Sequence, residues 1–81
     1  MSFIGEVADK SCFAWERHSA DDEFDTEYTL AGFSFEMDEK DLTLYKSGNG
    51  YFASIYTGFL PSSVVASVID TLVKNYREEV A

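Results

Sequence analysis

The stretch that decides the fold is Phe33-Ser34-Phe35-Glu36-Met37-Asp38-Glu39-Lys40-Asp41-Leu42-Thr43-Leu44-Tyr45-Lys46-Ser47-Gly48-Asn49-Gly50-Tyr51-Phe52-Ala53-Ser54-Ile55-Tyr56. Phe33, Phe35 and Met37 alternate with Ser34 and Glu36, the period-two signature of a half-buried strand. The run reads as the end of a strand over Glu27–Met37, a polar turn at 38–41, a second strand over Leu42–Lys46 and a third over Tyr51–Thr57. Ser47-Gly48-Asn49-Gly50 is the strongest turn signal, because Gly and Asn tolerate the positive φ of tight hairpins. It predicts a two-residue loop at Gly48-Asn49 or Asn49-Gly50.

Directly opposed residues of an antiparallel pair share a face. The turn at 38–41 therefore pairs Met37 with Leu42 and Phe35 with Leu44. One face becomes Phe33, Phe35, Met37, Leu42, Leu44, Ala53 and Ile55, and the other Glu36, Thr43, Tyr45, Phe52, Ser54 and Tyr56.

Beyond Gly58 and Pro61 the period changes. Val65, Val68, Ile69, Leu72, Val73 and Tyr76 recur at helical spacing. Pro61 suits a first turn, and Lys74 and Arg77 suit the negative end of the dipole. The valines are poor helix formers, so packing on the apolar sheet face must hold the helix. Upstream, Ile4, Val7, Cys12 and Trp15 loosely fit a helical stripe that Gly5 and Phe13 interrupt; Phe13, Trp15 and Arg17 equally fit a short strand, and the strand near Cys12–Arg17 is the favoured reading. Ser19–Asp25 reads as a charged loop. The expected fold is α+β: a three- to four-stranded antiparallel meander with one C-terminal helix, in a single domain over 1–81.

The chain has 81 residues and a net charge of −9. Residues 1–41 hold twelve acids against Lys10, Arg17 and Lys40, whereas residues 42–81 balance three against three. Direct nucleic-acid binding and an anionic membrane surface are disfavoured, since both need Lys and Arg. A protein with a basic surface is the favoured partner, through long-range attraction. Acidity that serves solubility alone is the competing reading.

Cys12 is the only cysteine, which excludes an internal disulfide and points to a small buried side chain. Met1–Val7 lacks the basic start of a signal peptide, and no apolar run approaches the ~20 residues of a membrane span. The expected location is the cytoplasm, that of the host if the chain is phage-encoded.

No constellation supports catalysis. Cys12 and His18 lack a local orienting group, so no nucleophilic pair is expected. Asp21, Glu23, Asp25 and Glu27 alternate as calcium ligands do. An EF-hand counted from Asp21 would need Gly where Thr26 stands and Glu where Gly32 stands. No metal and no cofactor is expected, and Gly48-Asn49-Gly50 lacks the Lys and helix of a phosphate loop.

The acids do fit a binding role. Alternate carboxylates on a strand lie about 6.6 Å apart. One duplex strand carries a charge every ~3.4 Å of axis. A row of acids thus imitates nucleic acid at half density, enough to fill one basic groove. Tyrosines suit interface centres, because they combine rigid area with a hydrogen bond. The expected interface is Asp21, Asp22, Glu23, Asp25, Glu27, Glu36, Asp38 and Glu39, with Tyr45 and Tyr56 at its dry centre. The alternative is that Phe13 and Trp15 fold over that aromatic face.

The function expected is a small acidic, non-enzymatic inhibitor covering a nucleic-acid-binding surface of another protein, the physical type of phage anti-defence and anti-CRISPR proteins. An immunity protein or antitoxin against a nuclease toxin has the same logic. An assembly or adaptor subunit with incidental acidity is the rival of a different class.

Overall fold

In a computed structural model, residues 2–18, 26–48 and 50–80 are described, with the backbone alone at 50, 51 and 77–80. The order is α1 (Phe3–Lys10), β1 (Glu16–His18), β2 (Glu27–Leu30), β3 (Phe33–Asp38), β4 (Asp41–Lys46), β5 (Gly50–Tyr56) and α2 (Ser62–Val80). The strands form one five-stranded antiparallel meander in the order β1-β2-β3-β4-β5. Both helices lie on one face, and α1 packs on α2. The α+β class and the C-terminal helix are as the periodicity predicts. The sheet has five strands rather than three or four, and a second helix precedes it.

The additional strands have local causes. Glu27–Met37 is not one strand, because Ala31 and Gly32 both take positive φ, 49° and 88°, and reverse the chain. Two positive-φ residues make the mirror-image turn that suits the twist of a hairpin. Alanine is uncommon there, so the turn is hidden in the sequence. On the far side of β2, the strand expected over Cys12–Arg17 instead starts at Glu16 and ends at His18, so only Glu16 and Arg17 are shared.

Helix α1 also has a local signal. The Ser2 side chain accepts from the Gly5 N–H at 3.2 Å, and the acid Glu6 and the base Lys10 suit the two poles of the dipole. Gly5 and the shortness of the stripe mask it, although Val7 is wholly buried.

The β3–β4 register is as predicted, with Met37 opposite Leu42 and Phe35 opposite Leu44. The ladder extends one pair further, to Asp38 and Asp41, and leaves Glu39-Lys40 as the turn, with Glu39 at φ 54°. The β4–β5 loop differs from expectation. Lys46 pairs with Gly50, so three residues, 47–49, make the connection, of which Asn49 lies outside the described residues.

Tyr45 then pairs with Tyr51 and Leu44 with Ala53, so Phe52 is an inserted bulge residue. The bulge restores Ala53 and Ile55 to the core face. It also turns Phe52 to the helix side, where its ring lies 6.0 Å from Phe33 and 5.6 Å from Tyr76. Phe52 therefore does not belong to the opposite face.

The core is Val7, Tyr28, Phe33, Phe35, Leu42, Leu44, Val65, Ala66, Ile69 and Val73. On α2 the inward stripe is rotated from the one predicted. Ala66 and Asp70 are buried, Leu72 is half-buried, and Val64 and Val68 are exposed. Valines at 64, 65 and 68 supply two overlapping stripes, and only packing chooses between them. No helix among the described residues is long and apolar enough to cross a membrane.

Asp70 ties the ends of the fold together. Its carboxylate accepts from the Ser11 hydroxyl and, at 2.9 Å, from the Cys12 N–H. Ser11 Oγ in turn accepts from the Trp15 indole at 2.8 Å and from the Phe13 N–H at 3.1 Å. This turns Trp15 inward onto Phe35, with ring centroids 4.7 Å apart. Cys12 is exposed, contrary to the expectation of a buried thiol, because its neighbours take the inward positions.

Candidate functional site

With Phe13 and Trp15 committed to the helix side, nothing described covers the other face of the sheet. The register places Glu16 and His18 of β1, Glu27 and Thr29 of β2, Ser34, Glu36 and Asp38 of β3, Asp41, Thr43 and Tyr45 of β4, and Ser54 and Tyr56 of β5 on that open face. Five carboxylates stand on it among the described residues, with no lysine or arginine. Arg17 falls on the helix face beside Tyr28, and Lys46 lies 5.4 Å from the Phe33 and Tyr76 rings on that same side. The small Ser and Thr side chains between the acids keep the face low.

The structure brings together Glu27, Glu36, Asp38, Tyr45 and Tyr56 on this face and puts Glu39 in the adjoining turn. Asp21, Asp22, Glu23 and Asp25 lie outside the described residues. The strand ends that flank them, His18 and Glu27, are at the same end of the sheet as the Glu39-Lys40 turn. The face also holds Glu16 and Asp41, which the predicted interface omitted. Asp41 reads in the sequence as part of the 38–41 turn, and Glu16 has no defined face without the β1–β2 register.

Two features break the flat surface. At the end near the 31–32 turn, a shallow depression of about 410 Å³ is lined by Glu27, Thr29, Ser34 and Tyr45, among others. The Tyr45 hydroxyl donates to Glu36 at 3.3 Å. Partial burial, the Glu36 charge and this hydrogen bond hold the Tyr45 phenol above its ordinary value of 10.0.

A spectrophotometric titration should therefore show the Tyr45 phenol ionising above its ordinary value, and Glu36→Gln should bring it part of the way back, leaving the share that comes from burial. An unchanged curve in that variant would dissociate Tyr45 from Glu36. Because the folded phenol holds its proton more tightly than the unfolded one, its contribution to stability is complete below pH 10 and lost as pH rises further.

At the other end Tyr56 is 55% exposed and Phe59 91% exposed, with ring centroids 6.1 Å apart. Phe59 was missed, because Gly58 and Pro61 read only as breaks in the sheet. Its signal is an aromatic in a short loop with no place in either periodic pattern.

Other groups offer less. His18 is exposed, 3.0 Å from Thr29 Oγ1 and 3.9 Å from Glu16. Among the described residues, no three His, Cys, Asp or Glu side chains converge as a metal centre. Helix α2 presents outward an apolar strip of Val64, Val68 and Leu72 edged by Ser63, Ser67 and Thr71. Comparison with protein-family models, with curated protein sequences and with solved structures finds no match to this chain.

Proposed function

We propose that this protein is a binding module whose open sheet face docks on a basic, nucleic-acid-binding surface of another protein and blocks it. The observation that supports this most is the segregation of charge: among the described residues, five carboxylates and no lysine or arginine stand on one sheet face that no described segment covers. A solubilising charge has no need of such sorting, since dispersed acids serve solubility equally well. Tyr45 and Tyr56 give the face the rigid amphipathic groups that interface centres favour. The reading fits a phage anti-defence inhibitor, and equally an immunity protein or antitoxin against a nuclease.

The test uses a triple variant, Glu27→Lys, Glu36→Lys and Asp38→Lys. Glu36 and Asp38 are exposed and Glu27 is half-buried at a strand end; surface substitutions of this kind usually change stability by about 0.5 kcal/mol or less each, so the variant should fold. Both proteins are immobilised and exposed to a bacterial lysate. Proteins that wild type retains, that added duplex DNA or RNA displaces, and that the variant fails to retain are the expected result. For such a partner the variant should associate far more slowly, with a flatter salt dependence, because rim charges act on the on-rate. Equal retention by wild type and variant would remove the acidic face from the function.

The apolar strip on α2 favours a second reading, an assembly or adaptor subunit. Partners retained equally at high salt and lost on Val68→Lys would support it, since screening leaves apolar contacts intact.

A further inference from the structure

The aromatic end of the open face has a more specific shape than charge alone explains. Phe59 is 91% exposed, so its ring contributes little to the fold. The Tyr56 ring lies over the backbone of Gly58, where a Cβ would stand 2.6 Å from Tyr56 Cε1, Cζ and the hydroxyl. Glycine at 58 is what permits this pose.

The segment that carries both rings, the end of β5 and the loop after it, is held by hydrogen bonds. Thr57 is buried, its N–H and hydroxyl donate to the Lys40 carbonyl at 2.7 and 2.8 Å, and the Leu60 N–H donates to the Thr57 carbonyl at 3.2 Å. The rings are thereby anchored to the β3–β4 turn.

That turn sets the charge beside them. Asp41 is directly opposite Tyr56 on one side and Asp38 on the other, so Tyr56, Asp41 and Asp38 form one row across three strands. Like charges directly opposed in a sheet are destabilising. Neither carboxylate has an ion-pair partner among the described residues. Two exposed π-faces beside two uncompensated carboxylates complement a planar cation. A guanidinium stacks on aromatic rings and takes carboxylates bidentately, whereas an ammonium is a compact, strongly hydrated point charge.

We propose that Tyr56 and Phe59, with Asp38 and Asp41, form a receptor for an arginine side chain of the partner. This rests on the acidic-face reading above and names the group that the face anchors. The arginine stacks against the rings, and its N–H groups point at the two carboxylates.

The probes are a short oligo-arginine peptide and an oligo-lysine peptide of equal charge, titrated into the full chain and followed by amide chemical shifts. The arginine peptide should shift residues 38–41 and 56–59 and bind more tightly than the lysine peptide. Phe59→Ala should keep the wild-type melting temperature, weaken the arginine peptide about 2–5-fold and abolish the preference for arginine. Gly58→Ala keeps both rings but must displace the flexible end of Tyr56. It should fold and also lose the preference. Asp38→Asn with Asp41→Asn should weaken both peptides.

If both peptides bind equally, at Glu27 and Glu36, and leave 56–59 unshifted, the receptor is overturned while the acidic-face reading stands. If neither peptide shifts any open-face residue, both are overturned.

Discussion

Phe35→Ala is expected to unfold most of the protein near physiological temperature. Phe35 is wholly buried at the middle of β3, with Trp15 edge-on at 4.7 Å and Tyr28 stacked at 5.3 Å. Truncating a buried phenylalanine costs about 3–5 kcal/mol, from lost transfer energy and from the cavity left behind. The two ring contacts add to that cost, each about 0.5–1.5 kcal/mol beyond area. A domain of this size has a total stability of only about 4–12 kcal/mol. Each kcal/mol moves the melting temperature by about 4–8 °C in so short a chain. Thermal denaturation followed by the emission of Trp15, the only tryptophan, reads the result directly. A drop of less than about 5 °C would mean that the centre of the core lies elsewhere. Val64→Ala, on the exposed side of α2, is the control and should change little.

The second large effect belongs to Asp70. The residue is 9% exposed, and its carboxylate takes hydrogen bonds from Ser11 and from the Cys12 backbone. Hydrogen bonds to a charged group contribute about 1.5–3 kcal/mol, and removing the acceptor leaves two part-buried donors without it. Asp70→Ala should therefore cost about 3 kcal/mol in urea denaturation. Asp70→Asn, which keeps one acceptor oxygen, should recover part of that. Ser11→Ala removes the other half of the same network, so the double variant should cost clearly less than the two singles added. Additive losses would show that Ser11 and Asp70 act independently.

These two residues mark what could and could not be read without coordinates. Phe35 announces itself, because alternation over Phe33, Phe35 and Met37 fixes its face and the turn at 38–41 fixes its partner. Asp70 does not. An acid in a helix is ordinarily a solvent-facing residue, and only the approach of Ser11, far away in sequence, makes its burial affordable. The same holds for the number of strands. Ala31-Gly32 reverses the chain through a positive-φ alanine, a conformation that alanine does not advertise.

The open face was half legible. Glu36, Tyr45 and Tyr56 follow from the β3–β4 register and strand alternation. Whether Trp15 would cover them depended on a hydrogen bond to Ser11. Phe52 went to the wrong face because a bulge shifts the parity of a strand by one, and no composition signal marks where a bulge falls.

The order of the strands has a kinetic consequence. Every strand lies beside its neighbour in sequence, so β2 to β5 can assemble by successive hairpin closures, each over a short loop. Topologies of this kind cross their folding barrier quickly, because little chain entropy is lost before contacts repay it. The exception is the docking of α1 on α2, which joins Lys10 to Ser62 and Ser11 to Asp70 across most of the chain. That closure is the long-range step, and its reversal is the cheapest way to open the molecule. In native-state hydrogen exchange the amides of α1 should accordingly exchange before those of β3 and β4, and the release of α1 would free Trp15 while the meander persists.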